Sequence, residues 1–240
     1  MNDVFGDRMK GYENVERRYL TKRMPTILRL DMCHAHTYTR WLNKPYDLVF
    51  CRCMWITATA LCQTIEGAQL AYVQSDEISI LLNDYTKLET QPWFGKNLQK
   101  MVSVSASIAS AYFNDCAANI ISSIMPVAFF DSRAFTLPKE EVNNYFWWRQ
   151  TDCLRNSIQL VGRNKFSHKE LQNKSCADIK KMYSDVTDST IENDYPNFFL
   201  RGVTVTKNEC TENGIVRSKW ETNMDIPLFN EDKNYVERFV

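Results

Sequence analysis

Glycine is scarce in this chain, with seven in 240 residues. No Gly-x-Gly-x-x-Gly and no Gly-x-x-x-x-Gly-Lys-Ser/Thr occurs, so neither a dinucleotide-binding turn nor a P-loop is supported. Net charge is absent too. Lys plus Arg and Asp plus Glu number 29 each, so a nucleic-acid partner has to be met by local patches. No apolar run approaches the roughly 20 residues that cross a bilayer. The opening MNDVFGDRMK has no apolar signal core, which points to a cytoplasmic protein. There is no Cys-x-x-Cys. The eight cysteines (33, 51, 53, 62, 116, 153, 176 and 210) form no even framework and read as reduced thiols. Cys33, His34 and His36 cluster, but no second ligand group stands at zinc spacing, so they read as a thiol and two histidines after a strand.

What is present begins at residues 70–82, LAYVQSDEISILL. Two short apolar runs flank Gln74-Ser75-Asp76-Glu77, which predicts two buried strands and a tight turn. Adjacent acids at a hairpin tip either bind a hard cation or solvate the turn. Residues 26–31, TILRLD, form another short apolar strand, and it ends in Asp31. A strand ending in Asp, then a helix, then a hairpin tipped by Asp-Glu is the acidic layout of a polymerase or cyclase palm. That domain is a ferredoxin-like βαββαβ sheet. Its first strand lies beside its third, which brings Asp31 and Asp76 to one edge. Two convergent carboxylates can hold two magnesium ions, which clamp the attacking and leaving oxygens of a phosphoryl transfer.

The remaining chain fits an α+β fold. Residues 1–25 predict a charged helix packed on the main domain. Lys44-Pro45-Tyr46-Asp47 opens a helix reaching Ile65, with Pro45 in its first turn and Gly67 past its end. Residues 93–113 give a second helix, whose small side chains allow close approach to the sheet. Residues 127–135 give a fourth strand, in which Asp131 and Arg133 form an internal ion pair or contact phosphate. A long helix covers 138–165, and Ser167 to Glu170 forms a capping box opening another. Lys169, Lys174, Lys180 and Lys181 make that module basic. Alternating strands flank Asn213-Gly214, a hairpin signal. The division is a palm-like catalytic domain with an N-terminal helix over 1–137, and a helical extension with a β-hairpin over 138–240.

A series of motifs now falls into line: Gly6-Asp7-Arg8-Met9-Lys10 with Tyr12-Glu13, Arg29-Leu30-Asp31, Lys44-Pro45 with Asp47, and Gln74-Ser75-Asp76-Glu77. After them come Phe130-Asp131 with Arg133, Trp148-Arg149-Gln150 with Asp152, and Ser167 to Leu171. Over residues 5–175 the chain resembles the tRNA-His guanylyltransferase family, the 3′-to-5′ RNA polymerases. The resemblance implies 5′ activation of tRNA by ATP or GTP, then attack by the 3′-hydroxyl of an incoming nucleoside triphosphate, both steps served by two Mg²⁺. It implies Asp31, Asp76 and the Met32 carbonyl as metal ligands, with Glu77 completing the catalytic acids. It assigns Lys44, Ser75, Asp47, His36 and Arg29 to the nucleotide, and Arg133, Arg149, Asn156 and Lys169 to tRNA or phosphate. It also implies a homotetramer with no membrane partner.

Two departures bear on function. The family carries Gly where Met32 stands, and a left-handed backbone there would strain Met32. Members that add one guanylate without a template carry His-Ile-Asn-Asn where this chain has Leu154-Arg155-Asn156-Ser157. That difference resembles the guanylyltransferase-like proteins, which repair tRNA 5′ ends by copying the opposite strand. The competing readings are a non-templated guanylyltransferase, a nucleotidyl cyclase acting without RNA, and an inactive RNA-binding protein. Labelled tRNA distinguishes the cyclase, and Mg²⁺-dependent nucleotide incorporation excludes the inactive protein.

Overall fold

In the computed structural model, which describes residues 3–121, 125–212 and 215–240, the chain opens with helix α1, Val4–Val15. Asp3 caps it by accepting the Gly6 N–H at 2.8 Å. The expected packing of this helix on the domain is not found, since none of its residues is buried. Charged residues are spread around it, leaving the helix solvated.

Strand β1, Thr26–Met32, alternates its faces as a strand must. Helix α2, Ala35–Tyr38, and a 3₁₀ turn, Thr39–Trp41, lead to helix α3, Leu48–Thr64. Pro45 does not enter the first helical turn, because Asp47 caps the helix two residues later. One Asp47 oxygen accepts the N–H groups of Val49 and Phe50 at 2.9 and 3.0 Å. Strands β2, Ala68–Gln74, and β3, Glu77–Leu82, form the hairpin. Ser75 and Asp76 are its turn, and Ser75 takes the left-handed φ of +48° that a two-residue turn requires.

Helix α4, Leu98–Ile120, starts later than its composition suggests. Phe94, Gly95 and Lys96 have positive φ, and Asn97 then caps the helix by accepting the Lys100 N–H at 3.0 Å. Its small residues meet the sheet as expected, with Ser105 Oγ donating to Ser132 Oγ at 2.8 Å. Strand β4, Phe130–Thr136, also starts late. The N–H and carbonyl of Ala128 bond the Asn114 side chain of α4, each at 2.8 Å, instead of joining the ladder.

Helix α5, Lys139–Lys165, is followed by α6, His168–Leu171, a single turn closed by the Ser167–Glu170 capping box. Then come α7, Cys176–Thr187, α8, Ile191–Asp194, and α9, Asn197–Arg201. Strands β5, Val203–Glu212, and β6, Ile215–Asn223, pair with each other, and α10, Asn234–Glu237, lies near the C-terminus. The Asn213-Gly214 turn lies outside the described residues. β5 also pairs with β2, so the C-terminal hairpin extends the same sheet rather than standing apart.

The described sheet is antiparallel, in the order β4-β1-β3-β2-β5-β6. Its first four strands, with α3 after β1 and α4 after β3, follow a βαββαβ path. Leu28, Leu30, Ile78 and Ile80 pack with Met54, Leu61 and Phe113 of α3 and α4. Ile27, Tyr72 and Leu81 take the other face, against Val142 and Phe146 of α5 and Phe229. Among the described residues no helix is long and apolar enough to cross a membrane.

Candidate active site

The alternation that buries Leu28 and Leu30 under α3 and α4 turns Arg29 and Asp31 to the opposite face. Register sets their neighbours. Asp31 lies opposite Glu77 of β3 on one side and Asp131 of β4 on the other. One step along, Arg29 lies between Ser79 and Arg133. A row of carboxylates therefore runs beside a row bearing two guanidinium groups.

The acids of this row differ sharply. Glu77 is buried, and its Oε1 accepts Arg149 Nε at 2.8 Å while its Oε2 accepts an Arg149 terminal N–H at 2.7 Å. Arg29 adds two further contacts to Oε2, at 3.0 and 2.8 Å. Ser79 donates to Oε1 at 3.3 Å and also bonds the Tyr145 hydroxyl at 2.8 Å. Asp131 and Arg133 are exposed and 3.7 Å apart on β4, so they are not the buried pair of charges expected there. β4 is the edge strand of the described sheet, and Phe135 on the same face packs against Tyr145 of α5.

Asp31 has one distant cation, an Arg29 guanidinium nitrogen at 3.6 Å, and 30% of its side chain is exposed. Burial raises its pKa to about 6, the carboxylates of Asp76 and Glu77 add to the rise, and Arg29 opposes it. Asp76 is raised too, first by burial, with Glu77 adding and hydrogen bonds to Ser75 and Asp31 opposing. The turn is held to β1 by the Met32 N–H, which donates to the Asp76 carbonyl at 3.1 Å. Met32 needs no left-handed backbone, because it ends β1 with its side chain in the core. His34 has the positive φ instead, at +57°.

No group of three or more His, Cys, Asp or Glu side chains among the described residues is arranged to hold a metal. The carboxylates close enough to act on one another here are Asp31 and Asp76. Two such carboxylates would fit Mg²⁺, which takes one or two carboxylates and completes its shell with water and substrate phosphates. The raised pKa values of both carboxylates come first from burial, with neighbouring carboxylates adding to the rise.

A cavity of about 350 Å³ opens at the hairpin tip. Val73, Gln74, Ser75 and Asp76 form one wall, and Cys153, Asn156, Ser157 and Leu160 of α5 form another. Phe50, Trp55, Phe198 and Phe199 make it apolar at depth, while His36, Lys44 and Ser75 are exposed at its rim. Lys44 Nζ donates to the Thr39 carbonyl at 2.8 Å, which leaves ammonium hydrogens for an anion. Asp47 also lines the cavity, but its oxygens already accept the cap N–H groups and both the main-chain and side-chain N–H groups of Asn43. Burial alone would raise its pKa, yet these bonds hold it below the ordinary value. Asp47 therefore shapes the loop at the cavity wall.

The residues expected to meet tRNA are not brought together. Arg133 and Lys169 are exposed on different elements, and Asn156 stands at the cavity. Arg149 is buried against Glu77 and Asp152, which corrects its assignment to phosphate or tRNA. The aromatic floor escaped the sequence reading. One signal for Arg149 was present: a Glu at the head of a fully buried strand needs a buried cation.

A family model described as tRNAHis guanylyltransferase matches residues 6–138. The chain belongs to this family. A bacterial tRNA(His) guanylyltransferase-like protein solved with ATP is 43% identical, covers 99% of both chains and superposes with a TM-score of 0.91. The GTP complex of such a protein gives 42% and 0.83, again over 99% of both. The Saccharomyces cerevisiae enzyme, 18% identical with 92% of this chain and 99% of that one covered, shares the fold with a TM-score of 0.71. Among curated relatives, an uncharacterized Acanthamoeba polyphaga mimivirus protein is 28% identical over 69% of this chain and 64% of its own. The tRNA(His) guanylyltransferase of Schizosaccharomyces pombe is 28% identical over 62% and 56%. The matches thus span less than two thirds of these curated relatives' length.

Proposed function

We propose that this chain is a nucleotidyltransferase that extends the 5′ end of tRNA in the 3′-to-5′ direction, as a template-dependent repair activity. The observation that carries the reading is the cavity at the hairpin tip, with Asp76 in its wall and Lys44, Ser75 and His36 at its rim. Its apolar floor offers stacking area for a nucleobase without a dense set of base-reading groups. Related bacterial proteins were solved with ATP and with GTP, which fits a floor that accepts either purine.

The βαββαβ part of the sheet is read as a polymerase-like palm, with Asp31 and Asp76 as its acids. Asp31, Asp76 and the Met32 carbonyl would hold Mg²⁺, which when bound neutralises charge on the transferring phosphoryl group. Lys44 holds the triphosphate by charge-assisted hydrogen bonds. The apolar cavity orients the base and excludes water, so that the reacting oxygen meets the 5′ phosphate in line. The exposed bases Lys169, Lys174 and Lys181 supply positive charge for the RNA, and binding through such charges falls with salt.

The deciding experiment is incubation with a 5′-truncated tRNA, Mg²⁺ and all four NTPs, followed by sequencing of the 5′ end. Added residues complementary to the opposite strand are expected. No addition under any NTP mixture overturns the activity.

A further inference from the structure

Glu77 sits beside Asp76 in sequence and across from Asp31 in register, so the sequence places it among the catalytic acids. Its surroundings point elsewhere. Both oxygens are filled by the Arg149 fork and by Arg29, with Ser79 on Oε1. A carboxylate with its lone pairs taken by guanidinium groups is a poor ligand for a hard cation.

What Glu77 does hold is a joint between two walls. Its own strand continues the hairpin whose residues Val73 to Asp76 form one side of the cavity. Arg149 lies one turn before Cys153, and from there Cys153, Asn156, Ser157 and Leu160 of α5 form the facing side. A second tie, Ser79 to Tyr145, fastens α5 to the same strand one turn earlier. The terminal Arg149 nitrogen that reaches Glu77 also donates to Asp152 at 3.0 Å, and Asp152 in turn accepts from Asn156 at the cavity, at 3.4 Å. The contacts therefore run unbroken from the hairpin through α5 to a residue that lines the cavity.

We propose that Glu77 is a positioning residue and not a metal ligand: paired with Arg149, it fixes helix α5 against the β2–β3 hairpin and so sets the width of the nucleotide cavity. This rests on reading that cavity as the site of a nucleoside triphosphate. Bidentate pairing fixes both angle and distance, which a single charge contact does not. Loosening it moves Asn156 and Ser157 relative to Ser75 and Asp76, and the bound nucleotide loses contacts on one side. The metal carboxylates, both on the β1–β3 side, keep their places.

The test compares Glu77→Gln, Arg149→Met and Arg149→Lys with Asp76→Asn. Mn²⁺ and ATP are titrated separately into the protein without RNA, and ATP KM and kcat are measured for nucleotide incorporation. Glu77→Gln and Arg149→Met are expected to weaken ATP about tenfold in both affinity and KM. Arg149→Lys, which keeps the charge and loses the fork, is expected to fall between them and the unmodified chain. In all three, the Mn²⁺ affinity and the kcat at saturating ATP stay within about threefold of the unmodified chain, whereas Asp76→Asn loses Mn²⁺. If Glu77→Gln loses Mn²⁺ as Asp76→Asn does, Glu77 is a ligand and the proposal is wrong. A fall in kcat with unchanged ATP affinity reduces the pair to a fold-stabilising role and also overturns it. Should Glu77→Gln not fold, Arg149→Lys gives the same reading. Failure of the unmodified chain to extend any RNA would overturn the proposed activity, while the two titrations would still decide the role of Glu77.

Discussion

Asp31 and Glu77 face each other across the β1–β3 ladder, yet only one of them is electrostatically satisfied. Glu77 receives both nitrogens of the Arg149 fork and a second guanidinium from Arg29. Asp31 has only a 3.6 Å contact to Arg29, with Asp76 crowding it. A carboxylate left short of counter-charge is where a cation belongs.

Asp31→Asn and Asp76→Asn are each expected to lower nucleotide incorporation by at least about a hundredfold, because an amide keeps the shape but not the charge a hard cation needs. Asp31→Asn also removes a crowded charge. In EDTA at neutral pH it should melt no lower than the unmodified chain, and stabilisation on the order of 1 kcal/mol is expected. Near-normal turnover by either variant would count against the assignment, and a much lower melting temperature would make the Asp31 result uninformative about charge.

The Asp31 pKa gives a pH dependence with a definite sign. It rises from 3.8 to about 6 on folding, so the group's contribution to stability is full below pH 3.8 and is lost as pH climbs through 6. Metal and proton compete for the same oxygens. The rise in melting temperature produced by excess Mg²⁺ should therefore be small at pH 5 and reach its plateau above pH 6 to 7. Asp31→Asn should flatten that profile. Differential scanning measurements at matched ionic strength check it, and a Mg²⁺ effect independent of pH over this range would contradict it.

Lys44→Ala should raise the KM for NTP by about tenfold or more while leaving tRNA affinity within about twofold, because one charge-assisted contact to phosphate is removed at the cavity rim. Steady-state kinetics and an RNA-binding titration together separate the two. Collapsed RNA binding with an unchanged KM would move Lys44 to the RNA.

The meeting of Asp31 and Asp76 was legible in the sequence because it depends on local patterns: a short strand ending in Asp, and a polar break from Gln74 to Glu77 too short for anything but a tight turn. The environment of Glu77 was not, since its partner Arg149 lies 72 residues away and only the docking of α5 brings them together. Two adjacent acids look alike in sequence, but one sits in the turn and the other begins a buried strand. Asp47 does line the cavity, but its second role was less visible. A short acid before a helix is a cap by propensity, and one Asp47 oxygen accepts both cap N–H groups. Phe198 and Phe199 reach the cavity from the far end of the chain, with no periodic signal to announce them.

The segment from Leu154 to Ser157 bears on how the incoming nucleotide is chosen. Ser157 is buried, its hydroxyl donating to the Phe199 carbonyl at 2.6 Å, so it ties α5 to α9 rather than reading a base. Arg155 points to solvent and pairs with Asp152, so of this segment only Asn156 brings an amide to the cavity, beside those of Asn43 and Gln74. The Asn43 and Gln74 amides donate to Asp47 and Glu77, and the one amide this segment adds cannot distinguish four bases, because each needs its own pattern of donors and acceptors. Pairing with the opposite strand supplies that pattern and delivers the 3′-hydroxyl in a fixed orientation. Incorporation should therefore follow the template. With C opposite the vacant position, G is added, and replacing that C by A should switch the product to U. Primer-extension products sequenced at the 5′ end give the answer. Addition of G whatever base stands opposite would make this chain a dedicated guanylyltransferase and return base selection to the protein.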